Sequence, residues 1–209
     1  MRISLIAITP NIEEVMVYVA RVSSPKSQAE GNNPGKLLKY CLEHRHWSVF
    51  EHGFITLEIN TSRTIARQIL RHRSFSFSEF SQRYSEVIEK PIFTNARRQD
   101  TKNRQNSIDD MSDEDKCYWW NAQDEVWNLA YAHYKDALKN GVSKENARAL
   151  LPEGMTPSRL YMSGSVRSWL TYLDVRCGNG TQLEHSEIAN QCKDILRPLL
   201  PLIFEAKEW

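Results

Sequence analysis

The sequence predicts an α+β fold: a central β-sheet flanked by long helices, in a single domain over residues 1–209. Three observations carry that reading. Two short stretches alternate apolar and polar residues with period two, as half-buried strands do. Much longer stretches hold their apolar residues three and four apart, as amphipathic helices do. A chain of 209 residues, 41% of them hydrophobic, buries one good core rather than two.

Taken in order, Met1 to Ile8 places Ile3 and Leu5 on one phase and, after a slip, Ile6 and Ile8 on the other; it is expected to be the first strand. Thr9-Pro10-Asn11 opens a helix through about Arg21, which Ser23-Ser24-Pro25 stops. Lys26 to Asn33 is expected as loop. Asn33-Pro34 gives an N-cap and a first-turn proline to a helix through about His44, carrying Leu37, Leu38, Cys41 and Leu42. Phe54 to Asn60 sets Ile55, Leu57 and Ile59 against Phe54, Thr56 and Glu58, a half-buried strand. Asn60-Thr61-Ser62 starts a helix expected from Arg63 to Arg73, with Arg63, Arg67 and Arg71 in one row and Ile65 and Ile69 on the inward face. Ser74 to Phe77 is expected as an extended loop, and Pro91 to Phe93 as a short edge strand or turn.

Thr94 to Lys116 is polar and nearly free of large apolar residues, so a surface excursion is expected there at about 94–116, solvated or serving as a lid. Ser112 and Asp115 form a capping box for a long helix from Asp113 to about Lys139, which Asn140-Gly141 ends. Its tryptophans suit packing or subunit contact better than cofactor stacking. Ser143 caps a short helix carrying Arg148 and stopping at Pro152. Thr156-Pro157 is expected to begin a helix through about Arg176, and Thr181-x-x-Glu184 to cap a final helix ended by Arg197-Pro198.

Composition excludes several functions. The net charge is +1, so no global field exists for wrapping nucleic acid or binding anionic membrane. No apolar run approaches a membrane span and no secretory leader is visible, so a cytoplasmic location is expected. Cys41, Cys117, Cys177 and Cys192 are scattered without a CxxC pair, which suggests neither a disulfide framework nor a cysteine zinc site. His44, His46, Glu51 and His52 crowd one stretch, but no second cluster completes a ligand set, and no metal is expected.

The chemistry concentrates in Arg71 to Ser85, RHRSFSFSEFSQRYS. Arg71, Arg73 and Arg83 offer planar forks for phosphate or carboxylate oxygens, and Ser76, Ser78 and Ser81 add hydroxyls that complete an oxyanion's hydrogen bonds. Gln68 stands three residues before Arg71, within reach of the same target in a helix. Dipole complementation at a helix end accounts for Arg71 and Arg73, but not for Glu79, Ser81 and Arg83.

In this stretch Arg71, His72, Arg73, Ser76, Ser81 and Arg83 resemble the signature of the flavin-dependent thymidylate synthases: Arg-His-Arg, two residues, Ser, four residues, Ser, one residue, Arg. His46-Trp-Ser48-Val-Phe-Glu51-His52 resembles the family's upstream element, with Val49 where a proline is usual. Asn146-Ala-Arg148-Ala-Leu-Leu-Pro152, Ser165-Val-Arg167-Ser168 and Leu173-Asp-Val-Arg176, followed by Gln182 and Glu184, resemble the downstream elements in the family's order. The resemblance implies the thymidylate synthase-complementing fold and a methyl transfer to dUMP. It assigns dUMP binding to Gln68, Arg71, Glu79, Ser81, Gln82, Arg83, Arg148 and Arg176. FAD binding falls to Ser23, His46, Ser48, Arg71, His72, Arg73, Glu79, Ser165, Arg167 and Thr171. Ser165 and Thr171 stand where the family commonly has Asn, and Gln82 where a small residue is common.

The resemblance further implies methylenetetrahydrofolate as one-carbon donor, NADPH as reductant, and a homotetramer whose subunits share the sites. Arg176 is the expected catalytic residue, a guanidinium stabilising negative charge that spreads into the pyrimidine. None of the four cysteines sits in an activating context that would support the alternative attack at C6. Two rivals are a flavin enzyme acting on a different pyrimidine nucleotide, and a single-stranded nucleic-acid-binding module with phosphate-binding arginines and stacking phenylalanines.

Overall fold

In the computed structural model, which describes residues 2–30, 33–88 and 90–209, the framework is a four-stranded antiparallel sheet. Its strands are β1 (Arg2–Ile8), β2 (Phe54–Ser62), β3 (Ser76–Glu79) and β6 (Pro157–Ser165), in spatial order β1-β2-β6-β3. Between β3 and β6 in the chain, β4 (Arg98–Gln99) and β5 (Ser107–Ile108) form a separate two-stranded hairpin. The helices are α1 (Ile12–Ala20), α2 (Pro25–Glu30), α3 (Pro34–Glu43), α4 (Arg63–Ile69), α5 (Asp113–Lys139), α6 (Lys144–Ala147), α7 (Val166–Arg176), α8 (Leu183–Leu196) and α9 (Pro201–Lys207).

Register explains why one sheet face is core. Ile59 lies opposite Leu160 and Leu57 opposite Met162, and all four are fully buried. The alternate pairs, Thr56 with Ser163 and Glu58 with Tyr161, are polar and only partly buried. The main core then forms between the apolar face and α1, α3, α4, α7, α8 and α9. The slip in the first strand is a β-bulge, where the pairing of β1 with β2 shifts between Leu5 and Ala7. A satellite core of Val87, Trp127, Tyr134, Ala147 and Leu151 fastens α5 to the rest.

Most expected elements stand where the sequence placed them, and the exceptions have physical reasons. Helix α2 replaces the expected loop from Lys26: Pro25 occupies its first position, and the Ser24 carbonyl accepts from Gln28 N–H at 2.9 Å. The arginine helix ends at Ile69 rather than Arg73, because the chain turns at His72 to bring Phe75 into the core. Arg71 is therefore outside α4, and the three-arginine row does not form. The expected loop at Ser74 to Phe77 gives way to β3, an edge strand beginning at Ser76. Pro91 to Phe93 forms no strand.

The main correction falls on Thr156 to Arg176. This is not one helix but β6 followed by α7. Proline is tolerated as the first residue of a strand, where it forfeits little pairing, and small residues (Ser158, Ser163, Gly164, Ser165) dilute the strand signal. The last segments differ as well. The N-cap of α8 is Gln182, not Thr181, whose hydroxyl instead bonds the Val175 carbonyl. A further helix, α9, follows Pro198. Among the described residues no helix is long and apolar enough to cross a membrane.

Candidate active site

Two serines aim the site's helices. Ser62 ends β2 and caps α4, its hydroxyl accepting from Ile65 N–H; Ser165 ends β6 and caps α7, accepting from Ser168 N–H. The strands are antiparallel, with Phe54 opposite Ser165 and Ser62 opposite Pro157, so the helices leave from opposite ends of the ladder. Both bury one side in the same core. The turn after α4 thereby meets the last turn of α7, and Arg176 Nε donates to His72 Nε2 at 2.9 Å.

That contact fixes the imidazole's state. To accept from a guanidinium, His72 Nε2 must carry a lone pair, so the ring is neutral with its proton on Nδ1. Burial, helped by the charge of Arg176, holds the His72 pKa down to about 4, consistent with that state at neutral pH. The ring packs edge-on to Tyr172 at 5.0 Å between centroids and to His185 at 6.2 Å. Arg176 is thus gripped through Nε, and its two terminal nitrogens have no protein partner among the described residues.

A chain of amides runs beside this pair. Gln68 Nε2 donates to Gln182 Oε1 at 2.6 Å, and His185 Nδ1 bonds Gln68 Oε1 at 3.2 Å. Gln182 Nε2 donates to Glu184 Oε2 at 2.9 Å, and Glu184 pairs with Arg97 at 2.7 Å. His185 is fully buried; burial, then the charge of Arg176 and the neighbouring His72, pull its pKa down to about 3. The Tyr172 hydroxyl and His185 Nε2 are buried without hydrogen-bond partners among the described residues.

The other expected dUMP residues stand elsewhere in the chain. Ser81 and Arg83 line a hollow of about 600 Å³ against Gly141, Lys144 and Glu145. Arg83 pairs with Glu145 at 3.5 Å, and Arg148 Nε donates to the Glu145 carbonyl at 3.2 Å. Gln82 is buried with its Nε2 unpartnered among the described residues. Glu79, at the end of β3, accepts from Ser158 Oγ at 2.6 Å and from Arg63 at 3.4 Å. Arg67 and Arg63 both reach Glu153, at 2.9 and 3.5 Å, so α4's own cations are neutralised locally.

Of the expected FAD residues, the Arg71 and Arg73 side chains are exposed and make no hydrogen bond or ion pair among the described residues. Arg167 pairs with Glu51 at 3.0 Å and lies over Trp47 at 5.9 Å, which joins α7 to the segment of Ser48. Thr171 is exposed and bonds the Arg167 carbonyl at 3.1 Å. Ser165 is buried at its capping post, His46 is exposed beside Tyr40, and Ser23 is exposed in the turn after α1. The His44 to His52 stretch shows a Tyr40–His44 ring stack at 3.9 Å, and among the described residues no metal-type cluster occurs.

Sequence reasoning missed Arg97, His185 and Tyr172. Arg97 sat among Arg98, Lys102 and Arg104 in a polar stretch, and His185 inside an ordinary helical pattern. No sequence signal joined Arg97 to Glu184, because the burial of that carboxylate, which calls for a cation, appears only in the fold.

The site can be set beside known proteins. The model for the family described as Thymidylate synthase complementing protein (Thy1) matches residues 4–202. The chain belongs to the Thy1 family. Relatives within it include the "Probable flavin-dependent thymidylate synthase" of Paramecium bursaria Chlorella virus 1, 48% identical over 94% of this chain and 91% of that protein. The flavin-dependent thymidylate synthase of Synechocystis sp. is 50% identical over 94% of this chain and 90% of its own length. Among solved structures, the UMP/dUMP methylase PolB of Streptomyces cacaoi bound with 5-Br dUMP superposes with a TM-score of 0.87 at 25% identity, covering 98% of this chain and 93% of that one. The Thy1 assignment thus agrees in sequence and in fold.

Proposed function

We propose that this Thy1 member is a flavin-dependent thymidylate synthase that converts dUMP to dTMP, taking the one-carbon unit from methylenetetrahydrofolate and the hydride from FAD reduced by NADPH. The observation that carries the reading is the Arg176–His72 pair. A guanidinium held by its Nε on a neutral imidazole keeps two parallel N–H donors for a pyrimidine's carbonyl oxygen and for the adjacent ring nitrogen in its deprotonated form. There it stabilises negative charge spread into the ring, the charge that makes C5 nucleophilic toward the one-carbon unit. Gln68 stands in the network beside this pair, suited to an acceptor oxygen of the same nucleotide.

The residues present fit FAD. Arg71 and Arg73 are cations without internal partners among the described residues, the condition a pyrophosphate would relieve. Arg167, Thr171, Ser48 and His46 are exposed for further contacts. Bound and reduced, the flavin supplies the hydride that completes the methyl group. His72, expected among the flavin residues, has its Nε2 turned to Arg176, so we assign it to positioning Arg176.

The nucleotide residues fall in two places in one chain, Gln68 and Arg176 in the first, Ser81, Arg83 and Arg148 in the second. A site completed between subunits unites them, which supports a homotetramer. Exposed Tyr118, Val126 and Leu129 on α5 offer apolar surface for such contacts.

The test is the absorbance spectrum of protein loaded with FAD and freed of excess, then given NADPH with and without dUMP. A retained flavin that bleaches with NADPH and responds to dUMP is expected. Failure to retain flavin overturns the reading. A response to UMP equal to that with dUMP moves it to a broader pyrimidine methylase.

A further inference from the structure

We propose that Arg97 is a positioning residue for the nucleotide site: acting through Glu184 and Gln182, it sets which way round the amide of Gln68 stands. This rests on the reading of Gln68 as a dUMP-binding residue.

The argument is one of hydrogen-bond polarity. An amide presents an acceptor on one side and donors on the other, and the two are nearly equal in size, so packing alone does not orient it. Gln182 and Gln68 form a pair of such groups, joined at 2.6 Å, that can reverse together. An ionised carboxylate only accepts. Glu184 therefore requires the Nε2 of Gln182, met at 2.9 Å. Gln182 is left with Oε1 for Gln68, so Gln68 must turn Nε2 toward it and Oε1 toward His185. His185 in turn must carry its proton on Nδ1. Each group fixes the next, and the direction originates at Glu184.

Glu184 plays this part only while ionised, and it is buried. Burial alone would raise its pKa, but the hydrogen bond from Arg97, with smaller help from its own backbone N–H and from Gln182, holds the carboxyl below its ordinary value. Arg97 is itself held on two sides: Nη2 pairs with Glu184 at 2.7 Å and Nε donates to Ser107 Oγ at 2.8 Å on β5. Its side chain is only 12% exposed and that of Glu184 9%. The polar excursion is thus fastened to the start of α8 by a buried ion pair. At the other end of the chain, the second N–H of Gln68 remains for an oxygen of the nucleotide. A reversed amide would put a carbonyl oxygen in that donor's place, facing an electron-rich ligand.

The experiment is a double-mutant cycle on FAD-loaded full-length protein, reading the dissociation constant of dUMP by titration calorimetry. Arg97→Ala is expected to weaken dUMP about tenfold, the scale of one hydrogen bond, with FAD retention unchanged. In a Gln68→Ala background the same change should add less than about twofold, since nothing is left to orient. Glu184→Gln, which keeps the volume and removes the acceptor-only group, should reproduce the weakening if Arg97→Ala folds poorly. Equal factors in both backgrounds, or an unchanged constant in either Arg97→Ala or Glu184→Gln, overturn the inference alone. A Gln68→Ala protein that binds dUMP normally removes Gln68 from the nucleotide site and takes the inference with it.

Discussion

Two strand-to-helix units lie side by side in the sheet: β2 with α4, and β6 with α7. Each strand has nine residues, ends in a serine N-cap, and passes directly into a helix bearing arginine. They differ in what the strand contributes. β2 carries Ile55, Leu57 and Ile59 inward, whereas β6 meets them with Gly164, Met162 and Leu160. They differ too in what the helix does with its cations. α4 neutralises Arg63 and Arg67 on Glu153. α7 pairs Arg167 with Glu51 but delivers Arg176 to a neutral His72, with no carboxylate against it among the described residues. The same device therefore serves structure in one copy and, on the proposed reading, chemistry in the other, and the distinction rests on the acceptor Arg176 meets.

The largest expected effect tests that distinction at Arg176. In Arg176→Lys, an ammonium cannot hold His72 and still offer two parallel donors. Turnover should fall on the order of 100-fold or more, with the thermal midpoint nearly unchanged. Steady-state rates at saturating dUMP check it, and near-normal turnover would remove Arg176 from the mechanism. Arg67→Lys on α4, an exposed pair with Glu153, should change turnover little.

The same junction predicts a pH dependence of stability. His72 and His185 titrate near 4 and near 3 in the folded chain, against 6.5 when unperturbed. Between about pH 6.5 and pH 4 the unfolded chain therefore binds more protons than the folded one, so stability is full above that window and declines as pH falls through it. Thermal midpoints measured from pH 7.5 to 4.5 should drop, and His185→Gln should flatten part of the slope. An unchanged slope in that variant would mean His185 is not buried in its neutral form.

The paired units also show why the sequence was readable in one and not the other. Strand β2 announces itself because three β-branched or leucine residues alternate with polar ones. In β6 the inward positions include a glycine, and the requirement behind it is tertiary: a Cβ at Gly164 would stand 2.5 Å from the Phe75 ring. No local pattern reports a close approach from a segment ninety residues away. The motif residues around Arg71 were legible because their spacing is dense and specific. The Arg97–Glu184 pair was not, since its members are distant in sequence and each looks like an ordinary surface charge. Gly164→Ala should accordingly cost about 1–3 kcal/mol by overpacking, read from urea unfolding. A loss under a few tenths would show that Phe75 moves aside freely.

The smallest effect separates the two caps. Replacing an N-cap serine by alanine costs about 1 kcal/mol, and on that count Ser62→Ala and Ser165→Ala should be alike. Their surroundings are not. Ser62 accepts from Ile65 N–H at 3.5 Å. Ser165 accepts from Ser168 N–H at 3.3 Å and shares a contact of 3.3 Å with the Ser168 hydroxyl, which donates to the Ser74 carbonyl at 3.0 Å. Ser165 thus fixes, through Ser168, the residue next to Arg73. Ser165→Ala should lose slightly more stability than Ser62→Ala and should also loosen FAD retention, while Ser62→Ala keeps it. Ser165→Asn restores a competent cap, so its stability should match the parent and any residual loss of FAD would report the Ser168–Ser74 link alone. Equal FAD retention in Ser62→Ala and Ser165→Ala would show that this cap, like that of α4, serves only its helix.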